Sequence, residues 1–174
     1  VADPRSPHSA EDRRAQQALS VAFYEELADL TFLAESITDL RTQIAARSEA
    51  APALARPLAA LDRELASQID ALSASKAGMI TGEEKLREEY GKLYGAIVGY
   101  DGRPTATQVA SHQRLRGELD AATRRFDELL ADRLDDANRR LERAGQPPLV
   151  RKDGAAFDEA GAGVGTVSGL DRKG

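Results

Sequence analysis

Few residues in this chain could do chemistry. Cys is absent, which removes disulfides, thiolate metal sites and Cys nucleophiles together. Of the two His residues, His8 stands among prolines and His112 in a helical pattern. Val109 lies three residues before His112, so the Glu-x-x-His pair of a di-iron bundle cannot form there. His112 therefore reads as a structural or surface residue. Neither Gly-x-Ser-x-Gly nor His-Glu-x-x-His occurs, which leaves nucleophilic and zinc-hydrolytic mechanisms without parts.

The remaining candidates are charged or glycine-rich. Glu83, Glu84, Glu88 and Glu89 alternate with Lys85, Arg87 and Lys92, as expected for a solvated face held by ion pairs at helical spacing. A carboxylate metal-binding bundle is the alternative, and it would draw on Glu25, Glu26, Glu35, Glu84 and Glu88. Gly161-Ala-Gly163-Val-Gly165-Thr resembles a dinucleotide loop only without the strand and helix that such a loop needs. Arg13-Arg14, Arg124-Arg125 and Arg139-Arg140 could grip phosphate. From Ala106 to Ala144, however, eight Arg face eight Asp and Glu, and the whole chain carries a net charge of −5. Acidic neighbours cancel the field that attracts nucleic acid. Phe23, Tyr24, Tyr90 and Tyr94 sit at helical spacing and read as core or rim packing. The expectation is a non-enzyme, with no catalytic, metal or cofactor-binding residue and no cofactor.

The elements that would position these side chains are helices. Ser9 is a good N-cap, followed by Glu11 and Asp12 in the first turn. Leu19, Phe23, Leu27, Leu30, Leu33, Ile37, Leu40 and Ile44 then recur at steps of three and four, which predicts a helix from Ala10 to Arg47. Ser48 to Pro52 should break it. Pro57 suits a first turn, and Leu58, Leu61, Leu65, Ile69 and Leu72 form a second stripe. Ser73 to Gly82 reads as a linker. Thr81 with Glu84 forms a capping box before Leu86, Tyr90, Leu93 and Ile97. After the turn Gly99–Pro104, Thr105 with Gln108 opens a long helix through Val109, Leu115, Leu119, Phe126, Leu130, Leu134 and Leu141. Gly145 is its expected C′ residue, and Pro147-Pro148 prevents continuation.

The fold class is therefore all-α. The first and last helices are each about 38 residues, ~57 Å at 1.5 Å per residue, and the two shorter ones with their linker span a similar length. An elongated three-layer helical bundle with a broken middle layer accommodates this, and an up-down four-helix bundle is the alternative. The expected organisation is a linker at residues 1–8, a bundle at 9–150 and a Gly-rich extended tail at 151–174. With 41% hydrophobic but only 5% aromatic residues, the core must be aliphatic. No apolar run approaches the ~18–20 residues of a membrane span. In the tail, Phe157, Val164, Val167 and Leu170 are the residues able to bury apolar surface on a partner.

Three segments carry a resemblance. Asp3-Pro4-Arg5-Ser6-Pro7 with Ser9 and Asp12-Arg13-Arg14-Ala15-Gln16-Gln17-Ala18-Leu19 is similar to the start of a bacterial C-terminal domain. Arg103-Pro104-Thr105-Ala106 with Gln108 resembles the start of that domain's last helix. Asn138, Leu141, Ala144-Gly145 and Pro147-Pro148-Leu149 resemble its ending. The family is the C-terminal helical domain of large exported β-propeller proteins, with BNR or sortilin-type repeats, often labelled glycosyl hydrolases. The resemblance implies that residues 1–8 lead out of a preceding β domain, that the chain is a C-terminal fragment or processed product, and that it is periplasmic or otherwise extracytoplasmic. It transfers no catalytic residue, because glycan chemistry in that family belongs to the propellers.

The expected function is a non-catalytic structural or docking domain. It would be an accessory or scaffold subunit binding other protein subunits, in a complex on the extracytoplasmic face of a membrane, with no nucleic acid and no direct membrane span. A self-associating coiled coil is a further alternative.

Overall fold

The computed structural model describes residues 7–74 and 84–153. Among the described residues four α-helices carry the fold: α1 (Ala10–Ala50), α2 (Ala55–Leu72), α3 (Leu86–Val98) and α4 (Ala106–Arg143), with a short 3-10 turn at Pro52–Leu54.

Each boundary has a local cause. Ser9 accepts from the Asp12 amide while the Asp12 carboxylate accepts from the Ser9 amide, at 3.1 and 3.0 Å, closing a reciprocal cap on α1. Thr105 and Gln108 do the same for α4. At the other end of α4, Gly145 takes φ 64°, and the Gln146 and Gly145 amides bond back to Leu141 and Glu142. This Schellman closure needs the left-handed conformation that glycine adopts without Cβ strain.

Two boundaries differ from expectation. The first helix does not stop at Arg47 but runs to Ala50, because Ser48, Glu49 and Ala50 contain nothing that breaks a helix. The break falls at Ala51, which leaves the helical region at φ −137°, ψ 85°, because a following proline disfavours helical backbone in the residue before it. Near the third stripe, α3 begins at Leu86, so Glu84 precedes the helix and cannot be the N3 member of a capping box. Thr81 lies outside the described residues. Glu88 takes the capping role instead, accepting from the Lys85 amide and from the Ala74 amide, each at 3.2 Å.

Cross-helix bonds define the topology. Descending positions on α1 meet ascending ones on α2 and then α3: Arg41 binds Asp62, Glu26 binds Tyr90, and Gln16 caps the Ile97 carbonyl. Thus α2 and α3 form one row antiparallel to α1. The chain then turns, Arg103 clamps Glu11 and Asp12, and α4 runs parallel to α1. Gln68 with Arg125 and Glu64 with Arg133 tie α4 to α2, while Glu89 with Arg114 ties it to α3. In an up-down four-helix bundle successive helices would alternate direction. Here α2 and α3 share one, so the architecture is the all-α bundle with a broken layer.

Between these rows lies a continuous aliphatic core that includes Leu30, Ile37, Leu40, Leu58, Leu65, Leu115 and Leu141, with Phe23, Tyr90 and Phe126 as its large rings. Each such Leu contributes ~1.5–3 kcal/mol by leaving water. Two expected core or rim positions face outward: Val109 is 37% exposed and Tyr24 70% exposed. His112 occupies the inward face of the first turns of α4 in place of Val109. No helix among the described residues is long and apolar enough to cross a membrane.

The α1 cap has a pH signature. The Ser9 hydroxyl, the Arg103 guanidinium and the Ser9 amide all bond to Asp12 and hold its carboxyl well below the usual carboxylate range. A depressed carboxyl contributes stability above its unfolded value near ~4 and loses it as pH falls toward the folded value. The native chain should therefore melt higher than Asp12→Asn near neutral pH. The two thermal-unfolding midpoints should converge as the pH drops below about 4.

Candidate functional site

The buried polar chemistry of the described residues gathers where α1, α3 and α4 meet. Glu26 of α1 is 7% exposed and His112 of α4 is 8% exposed. Both sit on the apolar faces of their helices: Glu26 falls between Phe23 and Leu30, and His112 precedes Leu115 by three residues. The His112 Nε2 lies 3.0 Å from each Glu26 carboxylate oxygen. The Tyr90 hydroxyl of α3 donates to Glu26 Oε2 at 3.1 Å. Arg116, one turn beyond His112, brings Nη1 to 3.6 Å from Glu26 Oε1 from the solvent side. Phe23 seals the interior, with its ring 4.7 Å from the His112 ring and 5.6 Å edge-on to Tyr90.

This arrangement saturates the carboxylate. Two side chains bond to it and a third compensates its charge, which is what an anion needs to remain inside an apolar core. Burial, reinforced by the charge of Glu26, pushes the Tyr90 hydroxyl far above its ordinary value. Tyr90 is thus held in its protonated form, as the donor to Glu26. The cluster joins three helices at one point.

Glu26 also forms part of the wall of an open groove between α1 and α4, about 560 Å³ in volume. Phe32, Leu33, Leu119 and Phe126 line its apolar part, and Arg116, Asp120 and Arg124 stand along the α4 side. Ser36 also lines it and is fully buried, with no hydrogen-bond partner for its hydroxyl among the described residues.

Above the groove the chain itself lies between the same two helices. Past Pro147-Pro148, Asn138 of α4 bonds both the amide and the carbonyl of Leu149, at 2.7 and 3.1 Å. Gln43 of α1 does the same to Val150, at 2.9 and 2.8 Å. Arg47 holds the Pro147 carbonyl at 2.9 Å. A side-chain amide that both donates to and accepts from one residue imitates a neighbouring β-strand, so the bundle reads extended backbone here. Leu149 is buried in the core beneath it. Farther along, Arg151 pairs with Asp127 and stacks on Phe126, and Lys152 reaches Glu35.

The other carboxylates weighed for metal do not converge. Glu25 is exposed at the groove rim, Glu35 pairs with Lys152, Glu84 with Lys92, and Glu88 caps backbone. Among the described residues no group of three or more His, Asp or Glu is placed to hold a metal ion. The acidic run at the start of α3 is only partly a self-paired face, since Glu89 pairs across to Arg114 of α4. Phe157, Val164, Val167 and Leu170, the expected partner-binding residues, lie outside the described residues.

Glu26 was weighed only as a metal ligand, His112 only as a structural or surface residue and Asn138 only as part of the resemblance, while Ser36 and Gln43 escaped a reading by motif. The available signal was register: Glu26, Ser36 and His112 are polar residues on apolar stripes, where burial demands a partner.

The described chain is an all-α helical bundle. No family model, curated protein or solved structure matches it.

Removing a donor from the buried carboxylate should be costly. Tyr90→Phe is expected to destabilise by about 1–2 kcal/mol, and Glu26→Ala by about 1–3 kcal/mol because it leaves the Tyr90 hydroxyl and His112 Nε2 without their acceptor, in urea titrations. The double variant should show a coupling of at least about 0.5 kcal/mol; strict additivity would mean that the hydroxyl and the carboxylate act independently.

Proposed function

We propose that the chain is a non-catalytic helical docking domain, an accessory or scaffold subunit that binds other proteins in an extracytoplasmic or membrane-associated complex. The observation that carries this reading is the pinned arm at residues 147–153. Asn138 and Gln43 fix its backbone, and Arg151 and Lys152 tie it to both long helices. A rigid bundle that holds the root of an extended arm offers a partner a contact of defined origin, and so lowers the ordering cost of binding. The buried acid–base cluster supports the same reading, because its groups are spent on joining helices. The extracytoplasmic setting rests on the resemblance to the C-terminal domains of exported propeller proteins. In this reading the apolar residues beyond Asp153 make the partner contact, with Phe157, Val164, Val167 and Leu170 as anchors.

Native purification from the source organism tests it. The full chain should co-elute with another protein at fixed stoichiometry. A chain ended after Asp153 should keep its helical circular dichroism and bind that protein at least tenfold more weakly, about 1.4 kcal/mol. Elution of the full chain alone, or only as multiples of its own mass, would refute the docking reading.

A further inference from the structure

The α1–α4 groove has an upper end toward Gln43 and a lower end toward Ala22, and its upper end shows what it accepts. Arg151, carried on extended backbone, lays its guanidinium over the Phe126 ring at 5.2 Å and pairs with Asp127 at 2.6 Å. Platform and carboxylate are consecutive residues of α4. The backbone that delivers the cation is held by Gln43 and Asn138. The arm then departs, since Lys152 reaches Glu35 and lines a separate groove on the α1–α2 side. The described arm thus leaves the space below Arg151 open.

That space repeats the upper site on α4. Leu119-Asp120 stands one heptad before Phe126-Asp127, on the same face of the helix and ~10 Å lower. Both Leu119 and Asp120 line the groove. Leu119 is a buried apolar platform and Asp120 an exposed carboxylate beside it.

Charge points the same way. With Arg151 neutralised by Asp127, the groove walls carry Glu25, Glu26, Asp29 and Asp120 against Arg116 and Arg124. Arg116 already lies against Glu26. The surplus is negative, which suits a cation whose apolar stem rests on Leu119.

The α1 wall adds a means of holding backbone. Ser36 stands seven residues before Gln43, on the same face of α1 as the side chain that grips Val150. Its hydroxyl is buried and has no hydrogen-bond partner among the described residues. A hydroxyl both donates and accepts, so an amide or a carbonyl of an extended chain satisfies it equally.

We propose that the lower α1–α4 groove binds an extended segment of a partner protein that carries an arginine. Its guanidinium pairs with Asp120 over Leu119, as Arg151 pairs with Asp127 over Phe126, and its backbone bonds to Ser36. The bundle thereby adds a contact of its own to the docking function proposed above, on which this assignment rests for its partner.

A blocked pentapeptide, Ala-Val-Arg-Val-Ala, is titrated into the isotope-labelled full chain and followed by NMR. Amides of residues 29–36 on α1 and 116–124 on α4 should shift saturably, with a Kd below about 1 mM. Those near Ala55 and Gly99 should stay in place. The same peptide with Glu for Arg, and the amide of N-acetylarginine alone, should each bind at least about fivefold more weakly. Asp120→Asn should weaken the arginine peptide about fivefold and Ser36→Ala about threefold, with helical circular dichroism unchanged. Absence of saturable shifts, equal binding of the glutamate peptide or of the single amino acid, or indifference to Asp120→Asn overturns the proposal. Shifts in the same residues on concentrating the chain alone assign the groove to a second copy and likewise overturn it. The two readings fail separately. Peptide binding without any co-eluting protein refutes the docking subunit and keeps the groove, whereas a co-eluting partner retained undiminished by Asp120→Asn refutes the groove alone.

Discussion

A carboxylate inside an aliphatic bundle constrains everything around it. Glu26 faces inward between Phe23 and Leu30 with only its edge at the groove wall, so most of its hydration must be replaced by protein partners. Its satisfaction takes Tyr90 from α3 and His112 and Arg116 from α4. Those partners can reach it at only one axial position. Leucine stripes are forgiving, because a helix shifted by one turn still buries leucine against leucine. The Glu26 cluster is not forgiving, and it selects one register for three helices at once.

From that register the rest of the packing follows. With α3 set against the lower part of α1, α2 must occupy the upper part, and the row they form is broken where one helix yields to the next. The parallel pair α1 and α4 then flanks this row and leaves a groove between them. Ion pairs such as Arg114 with Glu89 and Arg103 with Glu11 and Asp12 decorate the outer seams. Exposed as they are, each contributes little alone. They complement a geometry that the buried groups have already selected.

The groove is where the bundle's interior chemistry becomes an outward property. Its upper part holds an extended arm through two side-chain amides on consecutive residues, one from each long helix. Leu149 anchors the arm in the core, and the charged residues after it grip opposite walls. Such a device combines the backbone recognition of a sheet edge with the rigidity of helices.

Much of this was legible in the sequence. The all-α class, both long helices, the caps at Ser9 and Thr105 and the Gly145 stop all rest on interactions between residues three to five apart, so local pattern determines them. The first helix was misjudged at its end because a Ser-Glu-Ala run looks like a turn only when the following proline is read as acting at a distance. In fact proline restricts the single residue before it. The Thr81–Glu84 capping pattern lost its place because a cap belongs to a helix start, and that start is set by where α3 docks. The role of His112 and the clamps of Gln43 and Asn138 were hidden, since their partners lie 86, 107 and 11 residues away. By itself, then, the sequence determined which segments are helical and which of their faces are apolar, because helix formation answers to near neighbours. Only the tertiary structure decided which polar residues on those faces meet, and that the arm lies in a groove, because a buried charge or an unpaired amide is satisfied by whatever group the packing brings across to it.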